Sequence, residues 1–237
     1  MHSGTASSPS PGRTTPTRPS FTKSSSRRPA HEARILRLVD GPGVVPLIDA
    51  DGETLVLDRA RCSVADVLAD RGRLTPAEVR GVAVATGRAL ARCHAQEIVH
   101  GDVKPANLLL SGEGDLWLAD FDTAGRIDDP RVGHSPGRDA GPYLTIADDV
   151  RALVATALEC SIGHPVDLGA AWSALQLSAL GCPADLAAEL ALVLRRPSSA
   201  LTVAERLDRA DAVLPRAGAP SRADRTPTVP FSLLDWV

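Results

Sequence analysis

Apolar and polar positions along this chain fall into blocks whose period changes from helical to strand-like and back. Glu32-Ala33-Arg34-Ile35-Leu36-Arg37-Leu38 puts its apolar residues on one side of a 3.6-residue period, which predicts a short amphipathic helix stopped by Gly41-Pro42-Gly43. Val44-Val45-Pro46-Leu47-Ile48 and Thr54-Leu55-Val56-Leu57 read as two strands around an Asp51-Gly52 turn. Ser63 to Asp70 reads as a short helix ended near Gly72. Thr75-Pro76-Ala77-Glu78 is a capping-box start with proline at the first helical position, and Val79, Val82, Thr86, Leu90 and Cys93 carry that helix to His94. Ile98-Val99 and Leu108-Leu109-Leu110 are short apolar runs, Gly112-Glu113-Gly114 turns the chain, and Leu116-Trp117-Leu118-Ala119 reads as a returning strand. Thr123 to Thr145 has no apolar period. Ile146, Val150, Leu153, Val154 and Leu158 then mark a buried helix; further helices are predicted over 169–180 and 183–194, with a last one from Val203 to Val213.

Composition adds the ends and the setting. Residues 1–30 hold eight Ser, five Thr, five Pro and five basic residues without an acid, so they predict a disordered basic tail. Residues 215–237 form a Pro-rich tail whose Phe231, Leu233, Leu234 and Trp236 would dock on the protein's own domain or on a partner. At 237 residues and 43% hydrophobic content, the remainder suffices for one good-sized domain with a mainly aliphatic core. A net charge of −3 gives no case for nucleic acid, and no run approaches the ~18 apolar residues of a membrane span. Cys62, Cys93, Cys160 and Cys182 are widely spaced and show no zinc spacing, which fits reduced thiols and a cytoplasmic setting. Only two lysines occur, Lys23 and Lys104.

The chemistry concentrates in His100-Gly101-Asp102-Val103-Lys104-Pro105-Ala106-Asn107 and in Asp120-Phe121-Asp122. The intervening strand, turn and strand bring Asp102, Asn107 and Asp120 to one rim. Asp120 and the Asn107 carboxamide offer the hard oxygen ligands that Mg²⁺ takes alongside phosphate oxygens. Asp102 can accept the proton of an attacking hydroxyl, and Lys104 can offset charge on a phosphoryl group in transfer. Each residue alone reads as an ordinary loop residue. Four suitable types at compatible offsets point instead to phosphoryl transfer.

This stretch resembles the catalytic loop of the protein kinase superfamily, followed by its Asp-Phe-Gly metal motif. The resemblance implies an α+β protein-kinase-like fold: a mainly helical C-lobe over 61–214 and a reduced N-lobe with hinge over 31–60, lacking the Gly-rich loop and the lysine strand. It implies ATP and Mg²⁺ as cofactors and a protein substrate or regulatory partner. Asp102 and Lys104 match the catalytic pair, and Asn107 and Asp120 the metal ligands. Leu57 matches the gatekeeper, and Ala60 lies in the hinge that meets adenine. Glu32 matches the helix Glu that pairs with the phosphate lysine, though it also reads as a solvated helix-start acid favoured by the dipole. Asp149 matches the Asp that anchors the catalytic loop, and Arg196 a late Arg of the C-lobe. His94 reads as a packed or capping residue. Two positions depart: Gly101 replaces the Arg that in many kinases receives a phosphorylated activation loop, and Asp122 replaces Gly.

Upstream of Glu32 no Gly-x-Gly occurs, and Lys23 lies in a Ser-rich stretch without strand character, which argues against it as the phosphate lysine. The isolated chain is therefore expected to bind nucleotide weakly and transfer phosphate slowly unless a partner completes the N-lobe. Three functions stay open: a Ser/Thr protein kinase, a pseudokinase that binds or scaffolds, and a small-molecule phosphotransferase of the aminoglycoside or choline kinase kind.

Overall fold

The capping signals in the sequence act where they stand, and they set the helical framework. This computed structural model describes residues 20–23, 28–132, 141–166, 173–195 and 199–216. Helix α3 (Pro76–Ala95) starts at a reciprocal capping box: Thr75 N donates to Glu78 Oε2 at 2.9 Å, and Glu78 N to Thr75 Oγ1 at 3.3 Å. Helix α2 (Val64–Arg71) starts the same way at Ser63 and Asp66 and ends at Gly72. Helix α4 (Ile146–Ile162) is capped by Thr145 and closed by Gly163 in the left-handed region. With α5 (Ala174–Ala179), α6 (Ala184–Arg195) and α7 (Ala200–Leu207), these make up the larger, helical part. Along α3, Val79, Val82, Ala83, Leu90 and Cys93 are fully buried, and the helix packs on α4 and α7.

The smaller part is helix α1 (Pro29–Val39) beside an antiparallel sheet of strands β1 (Ser20–Lys23), β3 (Leu55–Asp58) and β2 (Leu47–Ala50), in that order. After a single connecting residue, Arg59, the chain enters β4 (Ala60–Ser63). That strand belongs to a second sheet, ordered β4, β6 (Leu108–Ser111), β7 (Leu116–Leu118). Strands β5 (Ile98–Val99) and β8 (Gly125–Arg126) pair antiparallel. The mixed architecture, with a reduced N-lobe and a mainly helical C-lobe, is kinase-like.

Several expectations shift in detail. Strand β1 lies within the stretch whose composition predicts disorder: its register, Phe21 opposite Leu57 and Lys23 opposite Leu55, is supplied by β3 rather than by its own four residues. Val44 and Val45 do not join β2. Val44 bridges Leu118, Val45 N donates to Leu118 O at 3.0 Å, and Pro46 without an N–H separates the two runs. The last helix runs over Ala200–Leu207 rather than 203–213, because Ser199 caps it early and Asp208 leaves it in extended backbone. Beyond it, Val213 N donates to Ala77 O at 3.1 Å and holds the chain on α3. The expected helix over 169–180 is described only from Ser173, and the tail beyond 216 lies outside the described residues. All four cysteines are free thiols, and burial pushes Cys93 up to about 12. Among the described residues no helix is long and apolar enough to cross a membrane.

Candidate functional site

The site is assembled where β5 runs out. His100 N donates to Asp149 Oδ2 at 2.8 Å and Gly101 N to Asp149 Oδ1 at 2.9 Å, so one carboxylate in the first turn of α4 holds two successive loop amides. Asp149 is 1% exposed, and His94 Nε2 lies 2.9 Å from its Oδ2. His94 thus links the end of α3 to the carboxylate, a role its position just before the loop did not disclose. Two amide donors and an imidazole meet most of the acceptor capacity of a carboxylate that water cannot reach. The His100 ring is buried, with Nε2 at 3.0 Å from Ala119 O, and stands edge-on to Phe121 at 4.7 Å.

Past Gly101, a 3-10 turn over Pro105–Asn107 folds the loop back on itself. Asn107 Nδ2 donates to Asp102 O at 2.8 Å, and Lys104 Nζ stands 2.7 Å from Asp102 Oδ2. Asp102 is buried, while Lys104 keeps a quarter of its side chain exposed. Pairing of Leu108 with Leu118, extended by Ala119 N donating to Asn107 O at 2.9 Å, sets Asp120 beside Asn107. Asp102, Lys104 and Asn107 are therefore joined by direct contacts, and Asp120 arrives by strand register. Asp120 has φ 66° and ψ 69°, a left-handed conformation that a non-glycine residue keeps only where its surroundings enforce it.

The donor set suits a hard cation. Because the Asn107 nitrogen is committed to the Asp102 carbonyl, its carboxamide oxygen is the atom left for a metal, and it accepts no hydrogen bond from a described residue. Together with the Asp120 carboxylate it offers the few oxygen ligands that Mg²⁺ takes when phosphates and water complete the shell. Among the described residues no group of three or more His, Cys, Asp and Glu forms an all-protein metal site.

Around this centre, Glu32 of α1 is 0% exposed, and its Oε1 accepts from Phe121 N at 3.2 Å. The reading as a solvated helix-start acid is excluded by that burial. Leu57 is buried near the end of β3, and Ala60 opens β4 opposite Ser111, so the two flank the crossing between sheets. Leu57 and Ala60 belong to this crossing and not to the Asp102–Asn107 cluster. Arg196 lies outside the described residues. Arg131, which the sequence did not single out, has its side chain 6% exposed against the loop and α4.

Residues 17–136, half of the chain, match the protein kinase domain family. The chain belongs to the protein kinase family. It is 31% identical over 215 residues to Serine/threonine-protein kinase PknE of Mycobacterium tuberculosis, covering 84% of this chain and 36% of that protein. It is 36% identical over 104 residues to Serine/threonine-protein kinase KIN28 of Saccharomyces cerevisiae, covering 42% and 34%. To Serine/threonine-protein kinase PknH of Mycobacterium bovis it is 29% identical over 154 residues, covering 58% and 26%. The chain thus spans between a quarter and little more than a third of these relatives' own length.

Proposed function

We propose that this kinase-family protein transfers the γ-phosphoryl group of ATP to a serine or threonine hydroxyl of a protein. The observation that carries the reading is the Asp102–Lys104–Asn107 cluster, held by Asp149 and set beside Asp120. Asp102 orients the hydroxyl and accepts its proton as the hydroxyl oxygen bonds to the γ-phosphorus, the bond from that phosphorus to the β,γ-bridging oxygen breaks and ADP departs. Lys104, adjacent to that carboxylate, balances charge on the transferred group. Asn107 and Asp120 would hold Mg²⁺, which neutralises phosphate charge. The Lys104 position and the relatives' names support serine or threonine over a small-molecule acceptor.

The register of β1 supports a further assignment. Lys23 stands opposite Leu55, two residues before Leu57, on the strand that flanks β3, so it is the lysine we assign to the nucleotide phosphates, with Glu32 its helix partner. The pairing of Ser20–Lys23 with β3 supports this assignment against the expectation drawn from the Ser-rich composition around Lys23.

A thermal-shift titration with ATP and Mg²⁺ tests the reading, together with an ATP-consumption assay on a generic protein substrate and on aminoglycosides. Stabilisation by ATP with Mg²⁺ is expected and should vanish in Asp120→Ala and Asn107→Ala, with transfer to protein lowered about 10²- to 10³-fold. Stabilisation without any transfer would leave a pseudokinase, and transfer to aminoglycosides alone would leave the small-molecule class.

A further inference from the structure

Gly101 is held from both sides. Its N–H donates to Asp149 Oδ1, and its carbonyl accepts from Arg131 Nη1 at 3.3 Å. Arg131 comes from the segment after the Asp-Phe-Asp motif and spends the rest of its guanidinium on that segment and on α4. Its Nε donates to Gly141 O at 3.0 Å; its Nη2 donates to Tyr143 O at 3.3 Å and to Asp148 Oδ2 at 2.7 Å. Arg131 and Asp148 are 6% and 11% exposed, so water does little to weaken the pair. Asp148 is itself oriented by Thr145 Oγ1 at 2.8 Å. Backbone bonds close the same joint: Arg131 N to Pro142 O at 2.9 Å, Leu144 N to Asp129 O at 2.9 Å and Asp128 N to Leu144 O at 2.9 Å.

Neighbouring acids of α4 therefore reach one loop residue by two routes. Asp149 takes the amide of Gly101 directly, and Asp148 takes its carbonyl through Arg131. The residue so fixed immediately precedes Asp102. The loop position itself bears no side chain that could receive a phosphate, whereas Arg131 already has a carboxylate partner within its own chain.

We propose that Arg131 is a positioning residue: from the stretch that follows Asp120-Phe121-Asp122 it fixes Gly101-Asp102 and seats residues 141–145 through Asp148, so that ordering the Gly101-Asp102 loop needs no added phosphate. The catalytic part of this statement rests on the phosphoryl-transfer reading above; the clamp does not.

The test uses the full chain with Arg131→Met and Arg131→Lys, reading amide hydrogen exchange alongside kcat and KM for ATP. In Arg131→Met, exchange at Gly101–Asp102 and Tyr143–Leu144 should rise about 10- to 100-fold, as for loss of hydrogen bonds to a charged group, with α3 and α6 unchanged. The value of kcat should fall by a comparable factor with KM for ATP near wild type. Arg131→Lys, which keeps a cation for Asp148, should recover part of both. Phosphatase treatment of the wild type should leave kcat unchanged. Unaltered exchange at Gly101–Asp102 in both variants overturns the proposal, as does a wild-type kcat in a variant whose loop has loosened, or loss of kcat after phosphatase. If Arg131→Met does not fold, Arg131→Lys decides by the same readouts. If the wild type transfers no phosphate, the kinase reading fails and exchange alone decides the clamp.

Discussion

At Gly101 the backbone takes φ +81°, and a Cβ there would lie 3.0 Å from Leu144 Cδ2 and 3.3 Å from Thr123 O. Glycine is required twice over, by backbone conformation and by close approach. Gly101→Ala is therefore expected to lower unfolding free energy by about 1–2 kcal/mol, measured by denaturant titration. Gly101→Arg restores the family's residue by name, yet it should destabilise further and lower transfer, because the positive φ strains any side chain there and the added Cβ crowds Leu144 and the Thr123 carbonyl. An arginine variant as stable as wild type and more active would contradict this geometry. Asp149 shows the same dependence on neighbours from the opposite side: its identity was readable as a loop anchor, but its two amide donors and His94 meet only in the folded chain.

Among the elements, α3 shows how far local sequence can reach. Its capping box closed as the spacing predicts, and Glu78 gained a partner the box does not specify. Arg71, at the end of α2, forms two 2.8 Å bonds to the Glu78 carboxylate. That guanidinium, with the Thr75 amide and hydroxyl against the opposing effect of burial, lowers the Glu78 pKa to about 2 from 4.5. The folded state thus favours the ionised form. This contribution is complete above about pH 4.5 and is lost as pH falls through about 2. Glu78→Gln should cost about 2 kcal/mol near neutral pH, and the gap from wild type in urea titrations should shrink between pH 4.5 and pH 2. A gap constant across that range would place the effect outside the carboxylate. Strand β1 is the opposite case: four residues of mixed character form a strand because β3 presents a ladder to pair with.

For the whole molecule, the decisive relation is between the small sheet and the helical part. The chain passes from β3 to β4 through Arg59, and β4 then pairs with β6, whose start follows Asn107. Glu32 on α1 reaches Phe121 N, so the smaller part is tied to the Asp120-Phe121 step from a second direction. The assignment of Lys23 proposed above, which rests on its register opposite Leu55, is open to direct test. Lys23→Met should weaken ATP binding and lower kcat/KM about 10²- to 10³-fold while leaving the unfolding midpoint near wild type, read by nucleotide titration and thermal melts. Unchanged ATP affinity would remove Lys23 from the site and return the protein to the reading in which this lysine is absent.

The sequence by itself determined the helix starts at Ser63, Thr75 and Thr145, the hairpin from Leu108 to Leu118 and the short loop in which Asp102, Lys104 and Asn107 touch one another. Those features depend on interactions within a few residues, which spacing encodes. Tertiary structure alone decided that Glu32 is buried, that Ser20–Lys23 is a strand and that Arg131 closes on Gly101 and Asp148. Each of these joins residues far apart in the chain or borrows order from a partner strand. Such contacts arise only once burial removes water from groups that no local pattern relates.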